Sequence, residues 1–365
     1  MLDVLVVGAG LIGSATSWLL AKSGRSVALI DAGCYGGEAS RAGAGMLAPG
    51  GEYREPSLAA QFALESLALY PAFVRQLEQE SGLAIDYRRC GAIDLAYDAD
   101  HWNDLQQRAD MQRRFGIAVN ELCLSTLSSM APGLIRERLS GALFYPNEAC
   151  VAPEDLLAAL RVVCAQSGIE ILENTPAGHI EAGPDEVLVN TPRERIAARY
   201  LVLAAGAWSS QIPFSVGGME ACIPESFPVK GHLAGYQLPA GSLNPILRHQ
   251  HSYIVQRKNG FTVAGSTEEY CGFDRSINPE RINRIRSATA SIYTPISNRE
   301  PVRLWIGFRP GIKEHRPAIG RVPGTSVWLA YGHYRNGILL TPATAHLVSS
   351  EILADWNRGR VARAG

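Results

Sequence analysis

The stretch Asp3-Val4-Leu5-Val6-Val7-Gly8-Ala9-Gly10-Leu11-Ile12-Gly13 decides how this chain folds. Asp3 to Val7 is a short apolar run of the kind that forms a buried parallel strand. Gly8, Gly10 and Gly13 follow with G-x-G-x-x-G spacing, and Leu11 to Lys22 reads as a helix. Ser26 to Ile30 is a second apolar strand, closed by Asp31. Each part has a physical job. Gly8 permits a tight turn, Gly10 lets backbone approach a pyrophosphate, and Gly13 lets the helix pack closely on the strand. The helix begins at Leu11 and Ile12 with its positive dipole end towards the phosphates, and Asp31 can accept hydrogen bonds from a ribose. Strand, glycines, helix, strand and acid in this order predict a site for an adenine dinucleotide.

Composition narrows the rest. A chain of 365 residues exceeds one simple core, and its length suggests about two domains. With 47% hydrophobic and 19% charged residues it reads as an ordinary globular protein. A net charge of −1 gives no reason to expect nucleic acid or an anionic membrane as partner. No run reaches the roughly 20 apolar residues of a membrane span, and the N-terminal run lacks the basic start of a signal peptide. Cys34, Cys90, Cys123, Cys150, Cys164, Cys222 and Cys271 are scattered without a C-x-x-C pair, so neither zinc nor a disulfide framework is expected. Free thiols and a cytoplasmic location are the reading.

Further along, Ala32 to Gly51 is rich in glycine and contains Ala39-Ser40-Arg41-Ala42-Gly43-Ala44-Gly45-Met46, a run suited to laying backbone against a flat ligand. Helices are predicted over Pro56–Gln79, Asp98–Phe115, Ser125–Met130, Pro153–Ser167, Pro279–Ile292 and Gly337–Trp356. Tyr87–Tyr97 reads as one strand. Glu170–Leu172, Gly178–Ala182, Glu186–Asn190 and Tyr200–Ala204 follow as further strands, the last running into the small-residue turn Ala205–Ser209. From Phe227 to Phe273 strands come without helices between them: Pro228–Tyr236, Tyr253–Arg257 and Phe261–Ser266, with Lys258-Asn259-Gly260 as a hairpin turn. Arg303–Phe308 and Val327–Tyr331 are two more. Parallel-type pieces thus recur at the start, middle and end, with antiparallel pieces between. This predicts an α/β chain, α+β overall, of two interleaved domains: 1-85, 141-222 and 300-365 for the dinucleotide, and 86-140 with 223-299 for a sheet-rich substrate-binding wall.

Ala330-Tyr331-Gly332-His333-Tyr334-Arg335-Asn336-Gly337-Ile338-Leu339-Leu340 leads from a buried strand through a glycine-bounded turn into a helix. Free amides and a positive dipole end suit a flavin, whose reduced form carries negative charge near N1 and C2=O, better than a nicotinamide. With the opening glycines, Ala39–Met46, Ala204–Ser209, Pro228–Gly231 and Gly307–Pro310, this segment falls in the order seen in FAD-dependent amine and D-amino-acid oxidases. The chain resembles that family along essentially its whole length, and within it looks most like the glycine oxidases linked to thiamine thiazole synthesis. The resemblance implies a Rossmann-like FAD-binding domain of the glutathione reductase type beside an antiparallel-sheet domain, non-covalent FAD, oxidation of small amino acids or amines, molecular oxygen as acceptor, and frequently a homotetramer.

Carried over residue by residue, the resemblance puts Gly8, Gly10, Gly13 and Asp31 on the ADP half of FAD. Ser40, Arg41, Ala42, Gly45 and Met46 fall at the pyrophosphate and ring, Gly206 and Trp208 beside the dinucleotide, and Gly332, Arg335, Asn336, Gly337, Ile338 and Leu339 at the flavin's pyrimidine side. Arg309 closes the strand Arg303–Phe308, before a proline expected to stop further pairing. A guanidinium there can grip a carboxylate with two parallel hydrogen bonds, and the resemblance makes it the anchor of the substrate's α-carboxylate. Tyr253 can present its hydroxyl to the same group or be a packing aromatic. Glu268 and Glu269 would lie beside the pocket and favour an ammonium. His249, His251 and His333 lack partners at ligand spacing, so no metal is expected, and hydride transfer needs no base. No cysteine follows Arg309, which argues against a covalent flavin of the kind found in monomeric sarcosine oxidases. The expected reaction is oxidative deamination of glycine, sarcosine or a small D-amino acid with release of hydrogen peroxide. Alternatives are a D-amino-acid or imino-acid dehydrogenase that feeds a quinone or carrier, and a flavoprotein subunit of a larger complex.

Overall fold

The computed structural model describes residues 1–313 and 316–364, with side chains described up to residue 358. The opening strand, Leu2–Val7, is central to a ten-stranded sheet. It pairs in parallel with Val27–Ile30 on one side and with Arg195–Leu203 on the other. Glu170–Leu172 extends the parallel set beyond Val27–Ile30. Arg195–Leu203 serves two neighbours in turn: its first half runs antiparallel to Val187–Asn190, and its last residues run parallel to Val327–Tyr331. The period-two alternation of strand side chains splits the opening strand between two cores. Val4 and Val6 face the helices with Val27 and Leu29, whereas Leu5 and Val7 join Ala28 and Ile30 on the opposite face.

The helix Leu11–Lys22 lies on the first of these faces, packed against Pro153–Gln166 and the C-terminal helix Thr341–Ala364. Its close seat on the strand depends on Gly13, where a Cβ would stand 1.9 Å from the Gly8 carbonyl oxygen. The expected helix Pro56–Gln79 runs from Leu58 to Ser81, because the Ser57 hydroxyl caps it by accepting from the Ala60 amide.

A second sheet of eight strands holds Arg303–Ile312 at one edge, then Ser226–Gln237, Phe261–Gly265, Ser252–Gln256, Ile246–His249, Ala92–Ala96, Gly141–Tyr145 and Asn120–Glu121. All its pairs are antiparallel except Ile246–His249 with Ala92–Ala96. A third sheet of three short strands, Met46–Leu47, Ala149–Val151 and Tyr87–Arg88, lies where the two systems meet. One buried ionic cluster also ties them together. Asp94 accepts from both Arg108 and Arg248, and Glu148 takes Arg248 at 2.7 Å and the Gly50 amide at 2.7 Å.

Three sequence expectations change. Tyr87–Tyr97 is two strands in different sheets, broken at Gly91 with φ +70°. Pro310 does not stop pairing: the strand continues to Ile312, and Pro310 stands directly opposite Pro228. Antiparallel partners alternate between bonded and non-bonded pairs, so two prolines facing each other at a non-bonded pair cost no ladder bond. The last helix begins at Thr341, preceded by a short 3-10 turn at Tyr334–Asn336. By sheet membership, Gly141–Tyr145 and Arg303–Ile312 belong with the antiparallel strands, so the segments 141-222 and 300-365 each begin in the other sheet.

Candidate active site

The carboxyl ends of the parallel strands open into a cleft of about 1100 Å³, part of it open to solvent, walled on the far side by the antiparallel sheet. Gly10, Leu11 and Ile12 reach it from the first helix, Ser40, Ala42, Gly45 and Met46 from the glycine-rich loop, and Gly206 from the middle strand's turn. Arg335, Gly337 and Ile338 come from the C-terminal turn, and Tyr253 and Arg309 from the antiparallel sheet. Residues more than three hundred positions apart therefore share one wall.

The floor is built from backbone that tolerates no side chain. Gly8 has φ +110°, and a Cβ on it would lie 2.4 Å from the Ala204 carbonyl oxygen. Gly45 has φ +76°, and a Cβ there would stand 1.8 Å from the Val151 oxygen. The Ser40 hydroxyl accepts from the Leu11 amide at 3.0 Å, while the next amides, of Ile12 and Gly13, lie in a first helical turn that has no intrahelical acceptors. Asp31 spends one carboxylate oxygen on the Ala9 amide at 2.7 Å and the other on the Gly33 amide at 2.8 Å. It thus shapes the loop itself, and each oxygen retains a lone pair for a ribose hydroxyl.

Arg309 projects from inside a strand rather than from its end. Its Nη1 donates to the Thr267 carbonyl at 3.1 Å and its Nη2 to the Ser266 hydroxyl at 2.7 Å. Gly231, two registers along on the neighbouring strand, provides the room: a Cβ there would meet the guanidinium at 2.5 Å. Gly265 does the same for Tyr253, whose hydroxyl would lie 2.5 Å from an added Cβ. Burial raises the Tyr253 phenol against the opposing charge of Arg309 and a bond with Ser266, so Tyr253 carries its proton and can donate. Glycines at these non-turn strand positions were the available signal, since interior strand glycine marks close approach.

Two acids stand near these cations. Burial pushes the Glu268 carboxyl up, but hydrogen bonds from Tyr334 and Tyr270 and the charges of Arg309 and Arg335 outweigh it and hold it down. Tyr334 keeps its place with φ +51°, a left-handed backbone unusual for an aromatic residue. Glu269 is consumed elsewhere, by His232 at 2.8 Å and Arg281 at 3.2 Å, so of the two acids only Glu268 bears on the pocket. Arg335 pairs with Glu52 at 3.1 Å, and these two with Met46 and Tyr253 also line an adjoining polar cavity. Glu52 carries no sequence pattern that would have singled it out, whereas Tyr334 lies within the Gly332–Gly337 motif without a role assigned to it there.

Several expected contacts lie off the cleft wall. The Leu339 side chain is buried in the helix-face core while its carbonyl accepts from Ser66 at 2.6 Å. Gly332 packs on Ile312, which a Cβ would meet at 2.0 Å. Trp208 stacks on Phe273 at 4.7 Å. Asn336 faces the adjoining cavity, near the Tyr53 hydroxyl. Arg41 is exposed to solvent, and Gly8, Gly13 and Asp31 support the wall from behind. Among the described residues no group of three His, Cys, Asp or Glu side chains could hold a metal ion, and no helix is long and apolar enough to cross a membrane.

His333 lines the cleft, is buried, and shares a 3.0 Å hydrogen bond with the Thr344 hydroxyl. Burial pulls its imidazole down to about 4, against about 6.5 in an unfolded chain. Between these values the unfolded chain takes up a proton that the folded chain refuses. Stability is therefore full above about pH 6.5 and falls as the pH drops towards 4, at up to about 1.4 kcal/mol per pH unit. The His333→Asn variant should lose this part of the slope in denaturant melts run across that window. Parallel slopes for variant and parent would refute it.

A cradle of glycines, helix-start amides and an acid at the end of the second strand fits a dinucleotide, and the chain belongs to the family described as DAO, FAD dependent oxidoreductase, whose model matches residues 3–351. It is an FAD-dependent amino acid oxidoreductase. The glycine oxidase of Bacillus subtilis strain 168 is 32% identical over 97% of this chain and 95% of its own. That of Pseudomonas aeruginosa PAO1 is 33% identical over 98% and 95%. The solved structure of glycine oxidase from Geobacillus kaustophilus superposes with a TM-score of 0.89 at 30% identity, covering 97% of this chain and 95% of that one.

Proposed function

We propose that this enzyme oxidatively deaminates glycine, sarcosine or a small D-amino acid to the oxo acid and ammonia or amine, with oxygen reduced to hydrogen peroxide. The observation that carries the reading is Arg309 on the wall of the glycine-lined cleft. Two of its donors are used by Ser266 and Thr267, which leaves the rest of the five-donor fork for a carboxylate. Similarity to glycine oxidases supports the substrate class.

Bound FAD supplies the hydride acceptor, N5 of its ring. On this reading the residues set out above that line the cleft, from Gly10 to Ile12, Ser40, Ala42, Gly45, Met46, Gly206, Arg335, Gly337 and Ile338, would hold it non-covalently, with Gly8, Gly13 and Asp31 supporting them from behind. Arg309 and Tyr253 fix the α-carboxylate and with it the direction of the Cα–H bond, an alignment worth several kcal/mol. Glu268, held anionic, attracts the substrate's ammonium. No side chain takes the α-hydrogen as a proton; the imidazole on the cleft wall, His333, is made a weak base by burial. The proposal extends to a place in thiamine synthesis, a cytoplasmic setting and a homotetramer; one relative, in Synechocystis, is a bifunctional ThiO/ThiG protein.

Anaerobic titration of the flavin spectrum with glycine, sarcosine, D-alanine and D-proline tests the reading. Bleaching by at least one, followed by rapid recovery in air with peroxide release, is expected. Bleaching with slow recovery in air would replace the oxidase by a dehydrogenase, and no bleaching by any would reject the substrate class. Tyr253→Phe removes only the hydroxyl and leaves the ring packed. It should raise KM about 5- to 10-fold, the worth of one hydrogen bond at roughly 1 kcal/mol. A KM equal to the parent's would remove Tyr253 from the carboxylate.

A further inference from the structure

Cys90 and Cys150 lie far apart in sequence, yet their sulfurs are 3.6 Å apart in the buried seam between the small sheet and the eight-stranded one. Cys150 belongs to the strand Ala149–Val151, and Cys90 precedes the Gly91 turn that sends the chain from one sheet into the other. Arg88, opposite Cys150 in the antiparallel pair, holds Nη2 3.4 Å from its sulfur. The buried Arg257 adds a second positive charge, opposed by Asp86. We propose that Cys90 and Cys150 are a peroxide-reactive dithiol that closes to a disulfide, with Cys150 as the attacking sulfur and Cys90 as the resolving one.

The assignment of roles follows from the geometry. A thiolate beside guanidinium groups is favoured over a neutral thiol. The Cys90 thiol donates to Cys150, and this bond together with Arg88 and Arg257 holds Cys150 below the ordinary thiol range against burial, while raising Cys90. Attack of the Cys150 thiolate on hydrogen peroxide forms an S–O bond, breaks the O–O bond and, with one proton, releases water. Cys90 then attacks the sulfenic sulfur: the S–S bond forms, the S–O bond breaks, and a second water leaves with the remaining thiol proton. Two thiols are oxidised and one peroxide is reduced.

The position suits an oxidant made nearby. Cys150 stands opposite Met46 in the small sheet, and the Val151 amide donates to the Gly45 carbonyl at 2.8 Å, so this strand backs directly onto two residues of the cleft wall. A peroxide supply from turnover rests on the oxidase reading above; the thiol chemistry does not.

Added hydrogen peroxide on the resting holoenzyme tests the pair itself. Replacing the exposed Cys34, Cys123, Cys222 and Cys271 by serine leaves Cys90, Cys150 and Cys164. Peroxide should remove two of these three thiols, lower the mass by two hydrogens and join the Cys90 and Cys150 peptides, all reversed by dithiothreitol. With Cys90→Ser added, dimedone should trap Cys150 as sulfenic acid. Persistence of all three thiols under peroxide that oxidises the exposed cysteines of the parent, or links between other cysteines, overturns the proposal. Should the multiple variant misfold, the peptide map of the parent decides by the same criterion. Turnover with glycine in air, with and without catalase, is the separate arm: a link formed by added peroxide but not by turnover counts against the oxidase reading and leaves the dithiol standing.

Discussion

Replacing Arg309 by leucine raises KM for the amino acid and lowers kcat/KM by a factor of about 10² to 10⁴, while FAD stays bound. The size follows from losing two charge-assisted hydrogen bonds of about 1.5–3 kcal/mol each to a carboxylate otherwise left unpaired, roughly 3–6 kcal/mol together. The fold should survive, because Arg309 stands half-buried on an edge strand and its own bonds are to the loop residues Ser266 and Thr267. Arg309→Lys should recover only part of the loss, since an ammonium cannot reproduce the planar two-point grip. Steady-state kinetics beside the flavin spectrum makes the measurement. A KM within a factor of about two of the parent's, given the 1.5–3 kcal/mol at stake per bond, would remove Arg309 from the substrate site.

The Gly8→Val variant should be isolated colourless and with lowered stability. Two independent costs meet at this residue. Its φ of +110° is a backbone region that side-chain-bearing residues reach only at about 1–3 kcal/mol. Its Cβ would also press into the Ala204 carbonyl oxygen at 2.4 Å and the Ala205 amide nitrogen at 2.8 Å, backbone atoms just past the end of the adjacent strand Arg195–Leu203 that cannot swing aside as a side chain would. Overpacking of this kind adds about 1–3 kcal/mol. The only relief is to separate the opening strand from Arg195–Leu203, and that pulls Gly10 and Gly206 apart across the cleft. Thermal melts with the ratio of flavin to protein absorbance check both halves. A variant as yellow and as stable as the parent would show that the glycine turn does not form the cofactor's floor.

The dinucleotide unit was legible from Gly8 to Asp31 because every relation in it is local: a turn, a helix start and two neighbouring strands within about thirty residues. The flavin side was legible through resemblance, carried by Ala39–Met46 and Gly332–Leu339. What could not be read was orientation. Leu339 and Ile338 are adjacent and both apolar, yet one is buried in the helix-face core and the other faces the cleft. Asp31 reads as a ribose ligand, and only the folded loop shows it also holding the Ala9 and Gly33 amides. Pro310 reads as a strand stop because its missing amide is visible in sequence, whereas the partner that makes the loss harmless, Pro228, is set by sheet register.

The resemblance to FAD-dependent amine and D-amino-acid oxidases brought Arg309 and Arg335 to notice, while periodicity and glycine spacing by themselves determined the class of fold and a dinucleotide site. Those features are short-range, and backbone sterics enforce them wherever they occur. Only the tertiary structure decided that Gly231 and Gly265 clear space for Arg309 and Tyr253, that Glu268 rather than Glu269 bears on the pocket, and that Cys90 meets Cys150. Each of these depends on which strands lie side by side and in what register, and a one-residue slip in register would turn Arg309, Tyr253 and Cys150 to the opposite faces of their sheets.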